Sequence, residues 1–329
     1  MEKFLIHDYN NIISLENILV SWKEFLRGKS KRKDVQEFSM NLIENLISLH
    51  RDLKTKTYAH GGYTAFNISD PKPRNIHKAS VRDRVLHHLL YKALYPYFDR
   101  KFIHDSYSCR IGKGTHRAIK RFEVFAQKVS KNHTKQCFVL KCDIRKFFAS
   151  IDHNILKQIL EKHIEDKDLL GLLGNIIDSF STRQDLVGLP LGNLTSQLLV
   201  NIYMNEFDQF VKHDLKEKYY IRYADDFVFM SQDKSMLKEI VDDSALFLGD
   251  KLKLSLHPNK VFIKTIYSGV DFLGWVNFPK ARVLRTSTKW KMLRNLEGGP
   301  SEQTKSSYVG MLQWGNSHKL ARKAGLMDL

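Results

Sequence analysis

The chain has 329 residues, 43% of them hydrophobic, which is enough for a substantial core and two or three subdomains and too apolar for a disordered chain. Lys and Arg number 53 against 36 Asp and Glu, and a formal charge of +17 favours a polyanionic partner through counterion release, with nucleic acid the first choice. No apolar run approaches the ~20 residues needed to cross a bilayer. The opening residues lack the basic-then-apolar order of a secretory signal. Cys109, Cys137 and Cys142 are odd in number and without Cys-x-x-Cys spacing, so neither a disulfide framework nor a zinc site is supported. A reduced, cytoplasmic setting with no membrane partner is expected.

Residues 1 to about 55 read as helical, with Leu42, Ile43, Leu46, Ile47 and His50 at 3.6-type spacing and a basic break at Lys29-Ser-Lys-Arg-Lys33. His50 continues a helical face and reads as structural rather than as a ligand. His60-Gly61-Gly62 is a turn, and Pro71 and Pro73 mark the entry to the next unit. After Arg74-Asn-Ile-His-Lys78 comes an apolar helix through Leu86, Leu89, Leu90 and Leu94, expected to end near Pro96. The stretch Asp105 to Arg117 puts basic residues on a glycine-containing turn before another helix, an arrangement suited to phosphate. By composition it is equally a solvated basic loop. Gly112-Lys113-Gly114 is not a Walker loop, because the Gly-x-x-x-x-Gly-Lys-[Ser/Thr] pattern is absent.

A short apolar strand then ends at Asp143, followed by a helix after Asp152 with Ile155, Leu156, Ile159 and Leu160 on one side. Val187-Gly-Leu-Pro-Leu-Gly-Asn-Leu-Thr-Ser-Gln197 is a loop opening into a helix that buries Leu199, Ile202, Tyr203, Phe207 and Phe210. Next, Lys218 to Met230 is two apolar runs flanking Tyr223-Ala-Asp-Asp226, a hairpin with two acids at its tip. Adjacent carboxylates repel, so such a tip is reasonable where it faces water or a cation. With Asp143 as a third acid, the set suits paired Mg²⁺ ions, which bind few protein carboxylates and keep positions open for water and phosphates. Taken alone, Asp-Asp is also an ordinary turn dipeptide, and Asp143 could cap a helix. Residues 234 to 250 form an amphipathic helix, Val261 to Lys264 a strand, and Gly269 to Trp275 a glycine-bounded hydrophobic turn. From 280 to 329 there are ten Lys or Arg against three Asp or Glu, with Trp290, Tyr308 and Trp314 interleaved, a composition that fits a duplex grip or a solvated helix face.

The joint order of these segments resembles the reverse transcriptases over roughly residues 50 to 329, with Asp143 in the place of motif A and Asp225-Asp226 in that of motif C. The resemblance implies an α+β, right-hand polymerase fold with an antiparallel palm sheet and a short helical thumb. Its divisions would be an N-terminal helical extension (1–70), fingers (71–136 and part of 165–190), palm (137–278) and thumb (279–329). It implies an RNA-directed DNA polymerase with two Mg²⁺ ions held by Asp143 and Asp225, Asp226 being a weaker ligand. Phe148, five residues past Asp143, matches the aromatic that excludes a ribose 2′-hydroxyl. Arg74, Lys78 and Arg110 fall where the family binds the incoming triphosphate, and Lys260 where it has a lysine that protonates pyrophosphate. Gly274 and Trp275 fall in the primer grip, and Lys289 and Lys291 in the nucleic-acid-binding thumb.

Many members carry Pro-Gln-Gly and then Ser-Pro in motif B, whereas this chain has Pro190-Leu191-Gly192 and then Ser196-Gln197. That version is similar to the enzymes of diversity-generating retroelements, which copy a template-repeat RNA with errors opposite adenine and deliver the cDNA to target DNA. Leu191 is then a fidelity residue, or else plain packing behind the nucleotide, while Ala224 stands where many of that subgroup have Met. The implied partners are template RNA, primer or cDNA, dNTPs, a small basic accessory variability protein and target DNA. A retron, phage-defence or group II intron-like reverse transcriptase, or a non-catalytic RNA-binding protein on the same scaffold, remain alternatives. No maturase or endonuclease extension is expected in the residues after Trp275.

Overall fold

The computed structural model describes residues 5, 8–69, 73–182 and 186–326. Pro71 and most of the opening residues considered for a leader lie outside them. In chain order the helices and strands begin with α1 (Tyr9–Ile12), α2 (Leu15–Leu26), α3 (Lys33–Met40), α4 (Leu42–Lys54), β1 (Tyr63–Ile68), β2 (Arg74–Ala79), α5 (Val81–Lys101) and α6 (Thr115–Val129). They continue with β3 (Phe138–Asp143), α7 (His153–Glu161), α8 (Lys167–Asp178), α9 (Leu194–His213), β4 (Tyr220–Tyr223), β5 (Asp226–Ser231) and α10 (Lys234–Leu252). The last are β6 (Phe262–Thr265), β7 (Val270–Phe272), β8 (Trp275–Asn277), β9 (Arg282–Leu284), α11 (Thr286–Glu297), α12 (Glu302–Leu312) and α13 (His318–Lys323). The chain divides into two compact units, one of Met1–His104, Ile144–Asp214 and Ala245–Ser255, the other of Asp105–Asp143, Leu215–Ser244 and Leu256–Leu329.

In the first unit α5 is the central helix, packed by α2 and α9. Ser80 starts it as an N-cap, its Oγ accepting from Asp83 N at 3.2 Å. The helix does not end near Pro96 but runs through it to Lys101. A proline inside a helix costs about 3 kcal/mol. Tyr95, Tyr97 and Phe98 are all buried on the turns around it. Each fully buried aromatic returns about 1.5–3 kcal/mol, so continuing outweighs stopping. On α4 the predicted apolar face is split, because Leu46, Leu49 and Leu53 are buried while Ile43 is 73% exposed and Ile47 48% exposed. The buried trio has its own i, i+3, i+7 spacing. His50 is structural, its Nδ1 lying 3.0 Å from the Ile13 carbonyl. The hairpin of β1 and β2 pairs Tyr63 with Ala79 and Ile68 with Arg74.

In the second unit, β4, β5, β3 and β6 form an antiparallel sheet in that order. Its apolar alternation explains the packing. Val139, Ile221, Val228 and Met230 share a core with Ala118, Phe122, Phe125, Ala126 and Val129 of α6. A three-stranded meander, β7-β8-β9, carries Trp275 and Leu284 into a smaller core with Met292, Leu312 and Leu326 from the carboxy-terminal helices and the residues after them.

Candidate active site

The acids are positioned by strand register. Tyr223 pairs with Asp226, so Ala224 and Asp225 are a two-residue hairpin turn, and Ala224 adopts left-handed backbone at φ 56°. On the neighbouring strand Asp143 pairs directly with Asp226. Cross-strand partners project from the same face, and like charges there destabilise a sheet. Two lysines offset the repulsion. Lys260 Nζ donates to Asp143 Oδ1 and Oδ2 at 2.9 and 3.0 Å, and Lys141, two residues before Asp143 and therefore on its face, places Nζ 3.2 Å from Asp226 Oδ2. Burial pushes the Asp226 carboxyl up to about 7, Lys141 opposes this, and Asp225 and Asp143 add to it. The His257 N–H donates to the Asp143 carbonyl at 2.7 Å and fixes the end of β3.

The donor set suits a hard divalent cation: all the candidate ligands are carboxylates, and Asp226 Oδ1 is buried without a hydrogen-bond partner. As they stand, no three His, Cys, Asp or Glu side chains among the described residues are arranged to hold a metal ion. Lysine ammonium groups already sit against Asp143 and Asp226, and a cation would displace them.

The remaining candidates fall into separate groups. In the first unit, Phe148 is half-buried and edge-on to Phe147, and its carbonyl accepts from Leu189 N at 2.8 Å. Leu191 is half-buried, and its carbonyl accepts from His77 N on β2 at 3.0 Å. Asn193 Nδ2 returns a bond to the His77 carbonyl at 2.9 Å. Gly192, at φ +109°, sits so close to β2 that a Cβ there would lie 2.7 Å from Ile76 Cγ2, which explains glycine at this point. Ser196 is buried and Gln197 half-buried on the first turn of α9. Arg74 is exposed at the start of β2. Lys78 is engaged by Asp34 of α3 at 2.7 Å, and Asp34 also holds Arg84, which keeps that carboxyl below its ordinary range despite partial burial.

In the second unit, Arg110 Nη1 donates back to the Ser106 carbonyl of its own loop at 3.0 Å. Gly274 is in the turn between β7 and β8, its carbonyl accepting from Arg285 N at 3.1 Å. Trp275 is 3% exposed, its ring a packing element of the small core. Lys289 and Lys291 are half-buried on α11, where Trp290 is 55% exposed.

Sequence reasoning passed over Lys141 and Arg222. Arg222 is fully buried and its Nη1 donates to the Ala224 carbonyl at 3.2 Å, bracing the turn that carries Asp225. The available signal was a charged residue inside each apolar strand run, which is tolerated when it has a partner.

The fold and this acid-bearing hairpin define a nucleic-acid polymerase of the right-hand class. Residues 68–277 match the family model described as reverse transcriptase (RNA-dependent DNA polymerase), and the chain belongs to that family. It is 25% identical over 279 residues to "Protein YkfC" of Escherichia coli K12, covering 72% of this chain and 70% of that protein. It is 21% identical to the "Group II intron-encoded protein LtrA" of Lactococcus lactis, covering 79% of this chain and 54% of LtrA. It is also 21% identical to the "Putative COX1/OXI3 intron 2 protein" of Saccharomyces cerevisiae, of which it spans 36%. In fold it is similar to apo telomerase from Candida tropicalis, with a TM-score of 0.50 at 14% identity over 74% of this chain and 60% of that one. No helix among the described residues is long and apolar enough to cross a membrane.

Proposed function

We propose that this chain is the reverse transcriptase of a diversity-generating retroelement, copying a template-repeat RNA into cDNA with errors opposite adenine. The observation that carries the reading is the motif B loop, where apolar Leu191 stands in place of an amide and Gln197 in place of a proline. The Leu191 carbonyl accepts from His77 N, and what Leu191 can offer a nascent pair from its side chain is apolar. Loss of a polar contact that orients a nascent pair removes discrimination of several kcal/mol. In this proposal Asp143 and Asp225 hold two Mg²⁺ ions, with Asp226 as a weaker ligand. Bound there, such ions supply a lowered pKa at the primer 3′-hydroxyl and neutralise the triphosphate and leaving pyrophosphate. Lys260, released from Asp143, is the proton donor to pyrophosphate. Arg74, Lys78 and Arg110 contact the triphosphate, Phe148 excludes the ribose hydroxyl, and the Gly274 turn with Lys289 and Lys291 holds template and primer. Ser196 and Gln197 support the loop. The division into fingers (71–136), palm (137–278) and thumb (279–329) belongs to the same proposal, as do a small basic accessory protein and a target DNA.

A group II intron-like role is the second reading, favoured by the intron-encoded relatives. Sequencing cDNA made by wild type and Leu191→Gln on one RNA template separates the two. The retroelement reading expects errors concentrated opposite adenine and reduced by the substitution, with catalysis within about tenfold, or 1.4 kcal/mol. Faithful copying of adenine by the wild type rejects it.

A further inference from the structure

The segment that carries Phe148 and the loop that carries Leu191 are joined by an irregular ladder. Leu189 N donates to the Phe148 carbonyl at 2.8 Å, Gly188 N to the Ile151 carbonyl at 2.8 Å, and His153 N to the Leu186 carbonyl at 3.1 Å. Asp152 and Val187 form an antiparallel bridge between them. Thr182 closes the far side, its N–H and Oγ1 donating to the Val187 carbonyl at 2.9 and 3.0 Å and its Oγ1 also reaching the Ala149 carbonyl at 3.1 Å. A two-residue slip in this ladder would move Phe148 and Leu191 relative to each other by several ångströms.

One side chain pins the register. His153, the first residue of α7, is fully buried. Its Nε2 is 2.7 Å from the Gly188 carbonyl and its Nδ1 is 3.1 Å from Asp178 Oδ1 at the end of α8. A carbonyl and an ionised carboxylate only accept, so both contacts are hydrogen bonds only when each ring nitrogen carries a proton. The charged groups nearest the ring are two carboxylates, each shared with a lysine. Asp178 faces Nδ1 and is shared with Lys157 of α7, while Asp152, the α7 N-cap, is engaged by Lys253 at 2.9 Å. Gly188 admits the arrangement because a Cβ at its φ of +106° would lie 2.8 Å from Thr182 Cγ2 and Oγ1.

We infer that His153 is a positioning residue for substrate selection: held by Asp178 with both ring nitrogens protonated, it clamps the Gly188 carbonyl and fixes the register between the Phe148 and Leu191 segments. This rests on the proposal that those two residues select sugar and base. Asp178 is the anion that engages the second ring nitrogen. The pair acts on the geometry of selection.

The test uses the full-length polymerase with Mg²⁺, an RNA template and a DNA primer, comparing wild type, His153→Gln and Asp178→Asn. The ratio of kcat/KM for dGTP over rGTP is measured, together with the misincorporation frequency at each template base. Loss of one charged hydrogen bond in the clamp should lower the sugar ratio by about tenfold, with a smaller loss in kcat for the matched dNTP. Asp178→Asn keeps the size and the acceptor oxygen at an exposed position, so it reads the clamp even where His153→Gln folds poorly. Phe148→Ala is run alongside. An unchanged ratio in both clamp variants, where Phe148→Ala shifts it, overturns the inference. If Phe148→Ala also leaves the ratio unmoved, the gate reading is what fails, and the ¹⁵N shifts of the His153 ring decide the clamp by themselves. Ring nitrogens that both carry a proton in the wild type support it. A neutral ring in the wild type overturns it.

Discussion

Replacing His87 by Gln should flatten the acid side of the stability profile of the unit built on α5. His87 lies one turn beyond Asp83 on that helix and is 1% exposed. Its Nδ1 has no hydrogen-bond partner, and its Nε2 faces His60 Nε2 at 3.3 Å, the two rings stacked 5.4 Å apart. Burial, reinforced by His60 and opposed by Asp83, pushes its pKa down from 6.5 to about 3. The unfolded residue therefore takes up a proton as pH falls through 6.5, whereas the folded one stays neutral until about 3. The stability it permits is complete above 6.5 and is lost progressively below that value. Between pH 7.5 and 5.0 the loss is RT ln(1 + 10^1.5), or about 2 kcal/mol, from this one side chain. His88 is depressed to about 4 by burial and Lys29, and it contributes in the same direction in both proteins. Urea unfolding of 5-fluorotryptophan-labelled protein, read by the ¹⁹F signal of Trp22, follows this unit, since Trp275, Trp290 and Trp314 belong to the other. Wild type should lose about 2 kcal/mol more than His87→Gln across that pH range. Equal losses would refute the assignment of His87 as a buried neutral ring.

Asp143→Asn and Asp225→Asn should each lower kcat by about a thousandfold or more, since a metal-holding carboxylate contributes several kcal/mol to the transition state, while RNA binding by filter retention stays intact. Near wild-type extension with Mg²⁺ by either variant rejects the metal assignment, and Asp226→Asn should do less harm. Phe148→Ala should admit ribonucleotides, lowering the dGTP over rGTP ratio of kcat/KM; an unmoved ratio means that sugar selection lies elsewhere. Neutralising Lys289 and Lys291 together should reduce the slope of log K against log salt for template–primer binding by about one to two. An unaltered slope makes that helix face merely solvated.

Much of the fold was legible because it is written in periodicity. The alternation in β3 and β5 and the Asp-Asp turn between apolar runs predict a hairpin and a strand ending at Asp143, while the pairing of Asp143 with Asp226 is seen only in the register. What periodicity cannot see is a local rule overruled by packing. Pro96 signals a helix end, yet the buried aromatics on either side carry α5 past it. Ile43 and Ile47 have helical spacing with Leu42 and Leu46, yet which of two overlapping stripes is covered depends on where α2 and α5 lie.

The site was legible in its anions and in Lys260 and opaque in Lys141 and Arg222, for a physical reason. Three acids close in sequence or register cannot be placed on a sheet without local positive charge, since each buried carboxylate lacking a partner costs several kcal/mol. The compensating residues must therefore exist in the chain, but they need only be close in space. Lys141 is near in sequence yet hidden in an apolar run, and Arg222 is buried beneath the turn. Lys260 comes from 117 residues beyond Asp143. Their presence means that the acid cluster is folded and held before any metal arrives. Under the proposed two-metal reading, a divalent cation at Asp143 would take the place of the Lys260 ammonium, and Lys260 would then be free to serve as the proposed proton donor.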